Sequence, residues 1–446
     1  MKLTGIPRAS TFPRMARVKQ TFRGPAVENV PDAVRAALGR LALPVKAGQS
    51  VALTVGSRGV VNIDRIVRAT VDHLKALGAH PFIIPAMGSH GGGTAEGQRS
   101  VLEHYGVTEA IMGCPIRATM DVVQVGEALG LPIWLDRYAA EADWIGVINR
   151  VKPHTGFTGD IGSGLLKMMT IGTGKHRGAV QAHRANIRLG YERMITGLGA
   201  GMLRSGRIAF GLGVVENGYD ETALVEAFLP DELEAGEREL LRKARAWMAK
   251  LPFEAIDLLI VDEIGKEISG TGMDTNVIGR HSTWFERPFT TPRITFIVVC
   301  DATANTYGNV NGIGLADFTT RRLADKADWE PTYVNALTAC SPGGPKLPAV
   351  LDSAREAIAV ALSCLGLDRP EDARVVRIQN TLRLTEVEVS EALHPELAGR
   401  DDLALVGEPA PMTFGPDGAL TGSGLDFQTL RSTTRGGLYG SQGLTP

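Results

Sequence analysis

Residues 149–184, NRVKPHTGFTGDIGSGLLKMMTIGTGKHRGAVQAHR, bring histidines, lysines and closely spaced glycines together in one stretch. The histidines are His154, His176 and His183. The segment just before them, residues 143–151 (DWIGVINRV), is short, apolar and rich in β-branched residues, which predicts a buried strand. Sites in α/β sheets usually lie beyond the carboxyl ends of strands, so we expect this strand to deliver His154 to a site.

Three lysines, Lys152, Lys167 and Lys175, lie in the same stretch, and Lys167 has the most apolar neighbours. Two leucines precede it and two methionines follow it. Burial disfavours the ammonium form, and the neutral amine then becomes available as a nucleophile or a ligand. A lysine can also lay its stem over a core while its head stays in water. Both interpretations of Lys167 are open at this point.

The composition is that of a globular chain of two or three domains. The 446 residues are 44% hydrophobic and 22% charged, with a net charge of −2. This balance argues against a nucleic-acid or membrane-surface partner, and no apolar run reaches the length of a membrane span. The four cysteines form no CxxC pair, which indicates neither a thiolate zinc site nor a disulfide scaffold and favours a reducing cytoplasm.

Basic residues dominate the first part of the chain, before the first acid at Glu28. This charge run predicts an arm that packs against a neighbour or lies in solvent, with an arm that reaches towards an anion as the alternative. The basic residues are Lys2, Arg8, Arg14, Arg17, Lys19 and Arg23.

Strand and helix signals alternate along the first half of the chain. Residues 50–57 predict a strand, and Asn62 is expected to cap the helix that follows. Residues 80–87 predict another strand, and Thr94 is expected to cap the next helix. This order is typical of a mostly parallel sheet.

A charged helix over 231–250 is the expected connector to a second half. We therefore predict two α/β domains with mostly parallel sheets, residues 1–253 and 254–446, and an interdomain cleft that holds the site. The other predicted elements are strands at 208–215, 256–261 and 292–300, helices at 315–323 and 349–365, two strands from Val375 onward, and a loop-like tail after Gly415.

Two glycine-containing loops follow the first two predicted strands. GSHGGG at 88–93 carries His90, and its backbone can approach an anion at the start of a helix. GSRG at 56–59 carries Arg58, whose guanidinium can hold a carboxylate with two hydrogen bonds. The alternative for each residue is an ordinary exposed loop side chain, although loops often carry site residues.

Several familiar chemistries are excluded by motif spacing. GTGKH lacks both the earlier glycine and the following Ser or Thr of a phosphate loop, and its glycines do not match the dinucleotide fingerprint. HExxH and GxSxG are also absent. The histidines, lysines and glycines that remain suit acid–base chemistry beside a metal with nitrogen ligands.

With these motifs, the chain resembles the nickel-dependent lactate racemase family. The resemblance is carried by GSRG (56–59), MGSHGG (87–92), KPHTGFTGDIGSGLLK (152–167) and His183, and it covers the first half better than the second. It implies a nickel pincer nucleotide, a pyridinium-3-thioamide-5-thiocarboxylic acid mononucleotide, tethered to Lys167 through a thioamide. His183, 16 residues later, is implied as the nickel ligand, with His176 as the alternative.

The resemblance also implies roles for the remaining motif residues. His90 and His154 match the family's two catalytic bases on opposite faces of the substrate, and Arg58 matches the arginine that holds the substrate carboxylate. The implied reaction moves the Cα hydride of a 2-hydroxy acid reversibly to the cofactor, with a 2-oxo acid as intermediate, and inverts the stereocentre. Two bases suit inversion because each enantiomer presents its hydroxyl to a different side.

This sequence departs from the family around the first loop and in the second half. Where the racemases have Asp-x-Thr-Arg-Pro, this chain has VGSRG at 55–59, and the second-half contacts have only Lys266 and Arg280 as candidates. A larger or more polar 2-hydroxy acid than lactate is therefore the expected substrate. We expect no nucleic-acid or membrane partner, and a homo-oligomer is one compatible assembly.

Two other functions fit the same residues. A hydrolase or lyase would use an ordinary divalent metal bound by His154, His176 and His183. A non-enzymatic protein would bind an anionic metabolite in the glycine-rich loops. Of the three, a racemase or epimerase of 2-hydroxy acids is the leading prediction.

Overall fold

A computed structural model describes residues 4–57, 59–283 and 288–422. The chain divides into two compact units. The central unit is Arg23–Met248, and the composite unit combines Met1–Phe22 with Ala249–Pro446. Helices and strands interleave in both, and the larger sheets are mostly parallel, which confirms the predicted α/β class. Within the described ranges, no helix is both long and apolar enough to span a membrane.

The strands are short and bounded by turns. In chain order they are β1 (Arg14–Gln20), β2 (Ser50–Val55), β3 (His80–Pro85), β4 (Val122–Ala128), β5 (Leu131–Asp136), β6 (Trp144–Arg150), β7 (Ile208–Glu216), β8 (Thr222–Phe228), β9 (Ala255–Ile264), β10 (Arg293–Ala302), β11 (Phe318–Thr320), β12 (Ala349–Leu351), β13 (Val375–Ile378), β14 (Glu386–Ser390), β15 (Leu403–Pro411), β16 (Thr413–Phe414) and β17 (Leu420–Thr421).

The helices pack against these strands. They are α1 (Val30–Gly39), α2 (Ile63–Ala76), α3 (Ala95–His104), α4 (Glu109–Met112), α5 (Arg137–Glu141), α6 (Leu165–Lys167), α7 (Lys175–Leu189), α8 (Tyr191–Arg204), α9 (Leu233–Trp247), α10 (Thr275–Ile278), α11 (Arg321–Lys326), α12 (Trp329–Thr338) and α13 (Ala354–Cys364). A π-helical turn, Met168–Gly172, joins α6 to the segment before α7.

The central unit is built on a sheet of order β3-β2-β6-β7-β8, in which only β8 is antiparallel to its neighbour. Its strands are apolar along their length because both faces are covered. Leu53 belongs to the cluster that includes Ile66 of α2, while Ile145 belongs to the cluster that includes Met194 of α8. The sheet is therefore the middle layer of the central unit, with helices on both of its faces.

The carboxyl ends of β2, β3 and β6 lie side by side at one edge of this sheet. The loops that leave them are the three that carry the sequence motifs around residues 56–59, 88–93 and 152–164. The open edge of a parallel sheet is where such sheets place their ligands. The topology therefore gathers these motifs at one edge.

The composite unit has a sheet of order β12-β11-β10-β9-β13-β14-β1-β15. The pairs from β12 to β13 are parallel, whereas β14, β1 and β15 pair antiparallel. The basic segment near the start of the chain is therefore a strand in the sheet, and the predicted arm is wrong for residues 14–20. Met15 and Val18 are buried in the clusters on opposite faces of the sheet, while Arg14 and Lys19 are exposed near the ends of the strand, so burial on both faces decides the structure rather than charge.

This strand also affects the domain division. The sequence placed the boundary between residues 253 and 254, and the compact units divide at Met248 and Ala249. The segment up to Phe22 belongs with the later half of the chain because β1 pairs with β14 and β15.

Three local predictions are wrong. The helix predicted over 349–365 begins only at Ala354, because residues 349–351 pair as β12 with β11. Asn62 does not cap α2: it has a left-handed backbone, and its side-chain amide donates to Thr222 Oγ1 at 3.1 Å. The helix predicted over 315–323 begins only at Arg321, since residues 318–320 pair as β11 between β10 and β12. By contrast, Thr94 accepts from the Gly97 N–H as predicted. The predicted tail after Gly415 is described only as far as residue 422.

The buried position of Val18 gives a test of the strand β1. Val18→Asp should destabilise the composite unit by about 3 kcal/mol or more, because a carboxylate would replace a methyl pair between Val387 and Leu405. Hydrogen–deuterium exchange should show faster exchange in residues 386–390 and 403–411. Lys19→Thr changes an exposed position of the same strand and is the control. It should leave that exchange unchanged. Equal exchange in Val18→Asp and wild type would contradict the pairing.

Candidate functional site

His90 lies in the loop that follows β3 and is exposed to solvent. Its Nδ1 is in hydrogen-bond contact with Ser57 Oγ, in the loop that follows β2. Tyr105 in turn donates its hydroxyl to the Ser57 carbonyl at 3.0 Å. His90 is therefore held over the end of β2 by a side chain from the neighbouring loop.

His154 lies in the loop that follows β6 and is partly buried. Its Nδ1 accepts a hydrogen bond from the Gly156 N–H at 2.9 Å. Since a backbone N–H can only donate, the neutral ring carries its proton on Nε2. The ring lies against Phe157, at a centroid distance of 4.7 Å, and against Tyr191, at 5.4 Å. These aromatic contacts fix the ring plane.

His183 projects from α7 and is joined to the same aromatic group. Its Nδ1 lies 2.9 Å from Tyr191 Oη. Burial lowers the pKa of His183 to about 4, and the positive charge of Lys167 acts in the same direction. The ring is therefore neutral at pH 7. We call His154, Phe157, His183 and Tyr191 the aromatic cluster, and Lys167 lies close enough to it to act on the His183 charge.

Lys167 ends α6, and its own side chain is only partly buried. The flanking Leu165, Leu166, Met168 and Met169 are buried. The backbone is thus anchored by its apolar neighbours, while the lysine side chain stays partly exposed. Of the two interpretations of this lysine, the stem laid over a core with an accessible head describes its placement.

Glu237 of α9 holds the turn that presents Lys167. Its side chain is completely buried, and Oε2 accepts from the Leu166 N–H at 2.7 Å. Gly164 allows this approach, because a Cβ there would collide with Glu237 Oε1. Burial raises the pKa of Glu237 to about 7, against the opposing effect of its backbone hydrogen bonds.

Lys175, not Lys167, is the fully buried lysine of this region. Its Nζ lies 2.9 Å from Asp136 Oδ2 and donates to Gln98 Oε1 at 3.1 Å and to the Pro85 carbonyl. Two hydrogen-bond acceptors and an ion-paired carboxylate oxygen surround the amine, so the geometry is that of the charged form. Burial lowers the pKa of Lys175 and raises the pKa of Asp136, and each partner opposes the shift in the other.

The three histidines of the alternative metal site are not brought together. His176 is exposed at the start of α7 and lies next to Gly93, whereas His183 lies two turns further along that helix. In residues 4–57, 59–283 and 288–422, no three His, Cys, Asp or Glu side chains are arranged to hold a metal ion. The ordinary metal site predicted from His154, His176 and His183 is therefore not formed.

The remaining predicted residues have different outcomes. Arg58 lies outside the described residues. In the composite unit, Lys266 donates to Asn335 Oδ1 at 2.6 Å and to a backbone carbonyl. Arg280 pairs with Asp317 at 2.8 Å and donates to the carbonyls of residues 294, 295 and 315. Arg280 thus has a structural role in its own unit.

Sequence reasoning missed Gln98, Asp136, Glu237 and Tyr191. Glu237 had a usable signal, because it lies four residues after Leu233 and three before Leu240 on the apolar stripe of α9. Asp136 had a similar one, since it ends an otherwise apolar strand. A polar residue on a buried stripe needs a partner, which is the signal that local motif matching overlooks.

The pKa of Glu237 predicts a pH-dependent stability. The folded chain keeps the Glu237 proton to higher pH than the unfolded chain does. The free energy of unfolding of wild type therefore falls as the pH rises from about 4.5 to about 7. The free energy of unfolding of Glu237→Gln, measured in urea, should therefore be close to that of wild type near pH 4.5. At pH 8 it should be roughly 2–3 kcal/mol higher than that of wild type. Glu239→Gln, at an exposed ion pair on the same helix, should show no such gain. The prediction would be contradicted if the free energies of unfolding of Glu237→Gln and wild type differed by the same amount at every pH.

The Lys175–Asp136 pair predicts a large, non-additive effect of mutation. Lys175→Met should lower the free energy of unfolding by about 3–5 kcal/mol, because it leaves the Asp136 carboxylate buried without its partner. The double variant Lys175→Met/Asp136→Leu should recover part of that loss. Urea unfolding followed by tryptophan fluorescence measures both. A single variant within 1 kcal/mol of wild type, or fully additive losses, would show that the pair is not coupled.

The likeness of this chain to known proteins lies in solved structures. No family model matches the sequence, and no curated protein matches it. Among solved structures, the chain is similar to the lactate racemase apoprotein from Thermoanaerobacterium thermosaccharolyticum, with 12% sequence identity and a TM-score of 0.45. The match covers 84% of this chain and 94% of that chain.

Proposed function

We propose that this protein is a racemase or epimerase of a 2-hydroxy acid that uses a nickel pincer nucleotide tethered to Lys167. One observation carries the proposal: His183 and His154 both contact Tyr191, His183 with Nδ1 2.9 Å from the Tyr191 hydroxyl and His154 by ring packing at 5.4 Å. The charge of Lys167 acts on His183 at the same aromatic cluster. This arrangement supports the roles that the resemblance in sequence implies for Lys167, His183 and His154.

The side chains at this position fit the proposed cofactor. Lys167 is accessible, so its amine can form the covalent attachment. His183 is neutral at pH 7, which is the form of imidazole that binds a metal ion. His176 is exposed and lies next to the His90 loop, which favours His183 as the nickel ligand. When bound, the cofactor supplies a reversible acceptor for the hydride on Cα of the substrate.

The two catalytic bases are proposed to be His90 and His154, which come from separate loops on either side of β2. His154 accepts the Gly156 N–H at Nδ1 and acts as a base when the substrate hydroxyl replaces that donor. His90 contacts a serine hydroxyl, which can donate or accept and so is compatible with either protonation state. One base takes the proton from the hydroxyl of the substrate enantiomer, and the other base supplies a proton to the hydroxyl of the product enantiomer.

The substrate is proposed to be larger or more polar than lactate, with Arg58 as the partner of its carboxylate. The reason is the VGSRG sequence at 55–59, which lacks the acid and proline of the racemase motif. A reducing cytoplasmic location, with no nucleic-acid or membrane partner, belongs to the same proposal. The ordinary metal hydrolase is not proposed, because its three ligands are not assembled.

The experiment that tests the proposal is mass spectrometry and nickel analysis of the chain produced together with the cofactor-making enzymes. We expect a covalent addition on the peptide that contains Lys167, with about one nickel per chain, and stereochemical exchange of a 2-hydroxy acid in a substrate screen. His154→Gln should lower the exchange rate by about 100-fold or more while leaving the adduct in place.

The matched controls are two lysine variants of the same segment. Lys167→Ala should lose both the adduct and the nickel, whereas Lys152→Ala should retain the adduct. An unmodified Lys167 in wild type under these conditions would refute the proposed cofactor. An adduct without exchange of any 2-hydroxy acid would refute the proposed reaction and leave the cofactor standing.

A further inference from the structure

The buried Lys175 is connected to His90 through one side chain. Gln98 of α3 is completely buried, and its Oε1 accepts from Lys175 Nζ at 3.1 Å. Its Nε2 donates to the Gly88 carbonyl at 2.8 Å and to the His90 carbonyl at 3.2 Å. Gln98 therefore bridges the ammonium of Lys175 and the backbone of the loop that carries His90.

The groups on either side of the Gln98 amide determine its orientation. An ammonium has donors only, so the side-chain oxygen must face Lys175. The amide NH2 then faces the two carbonyls of the His90 loop, which can only accept. A glutamine is needed here because the bridge requires an acceptor at one end and a donor at the other.

Lys175 is also continuous with the segment that presents Lys167. Eight residues separate the two lysines, and the π-helical turn 168–172 lies between them. The Gly172 carbonyl accepts from the Gly88 N–H at 3.2 Å. This hydrogen bond connects the π-helical turn directly to the His90 loop, in addition to the Gln98 bridge. Lys175 itself has φ +53°, a left-handed conformation that costs a non-glycine residue about 1 kcal/mol. Its contacts must offset that strain.

We propose that Lys175 and Gln98 are positioning residues that fix His90 relative to the Lys167 segment. Asp136 anchors the ammonium from the end of β5, and its backbone N–H donates to the Thr173 carbonyl at 2.8 Å. The ammonium thus ties three elements together: β5, the segment before α7 and, through Gln98, the His90 loop. The effect on turnover rests on the proposed function, whereas the effect on the position of His90 does not.

The test uses Gln98→Glu in the full chain. A glutamate keeps the acceptor for Lys175 and nearly the same shape, but it places a second oxygen against the Gly88 and His90 carbonyls. Gln181→Glu is the matched control, because Gln181 likewise accepts from one donor, Trp134 Nε1, and donates to one carbonyl, that of Pro132. Gln98→Leu, which removes both ends of the bridge, is the second variant.

The first readout is the NMR signal of the His90 ring in protein labelled with [13Cε1]-histidine, assigned through His90→Gln. We expect this signal to shift in both Gln98 variants and to stay in place in Gln181→Glu, while the signals of His154 and His183 change less. This readout needs no substrate and no cofactor. An unshifted His90 signal in the Gln98 variants would overturn the proposal.

The second readout is turnover of the cofactor-loaded protein. We expect kcat in Gln98→Glu to fall about 10- to 100-fold with little change in KM, because the base is displaced while the cofactor stays attached. The Lys167 adduct should remain at its wild-type level. A shifted His90 signal in an inactive wild type would support the positioning role and refute the proposed function. Loss of the fold in both Gln98 variants would make the bridge a stability element alone and overturn the proposal.

Discussion

A buried ammonium held by two hydrogen bonds and one ion pair constrains the candidate site of the central unit. Removing any one partner leaves charge or a polar group buried without a partner, which costs several kcal/mol. The partners of Lys175 come from β3, α3 and β5, so these elements must meet at one point. The loops that extend from that point carry His90 on one side and continue back to Lys167 on the other.

The sequence predicted the parts of the structure that depend on local pattern. The apolar runs of β2, β3 and β6 specified a parallel sheet, and the glycine loops after them lie together at one edge of it. Asn62 shows where local pattern is insufficient, since its amide is taken by Thr222 from a distant strand. The strand β1 shows the same limit on a larger scale, because its partners β14 and β15 lie at the opposite end of the chain.

The lysines illustrate why the site itself was predicted only in part. Apolar sequence neighbours suggested that Lys167 was buried, yet neighbours along a helix point to other sides of it. The four apolar side chains are buried, whereas the lysine is only partly buried. Lys175 has glycine and histidine as neighbours and is completely buried. Burial of a charged group is decided by the partners that the tertiary structure provides, which here are Asp136 and Gln98.

The partners of β1 lie far along the chain, so β1 can pair with them only late in synthesis. Gln20, at the end of β1, donates to the Leu384 carbonyl, 364 residues further along the chain. At ribosomal rates of about 5–20 residues per second, β1 waits roughly 20–70 s for the strands beside it, longer than a domain needs to fold. The central unit is complete in sequence before they are made. An unpaired strand edge is prone to aggregation during such a delay, and the arginines and lysine of β1 give it the charge that protects an exposed edge.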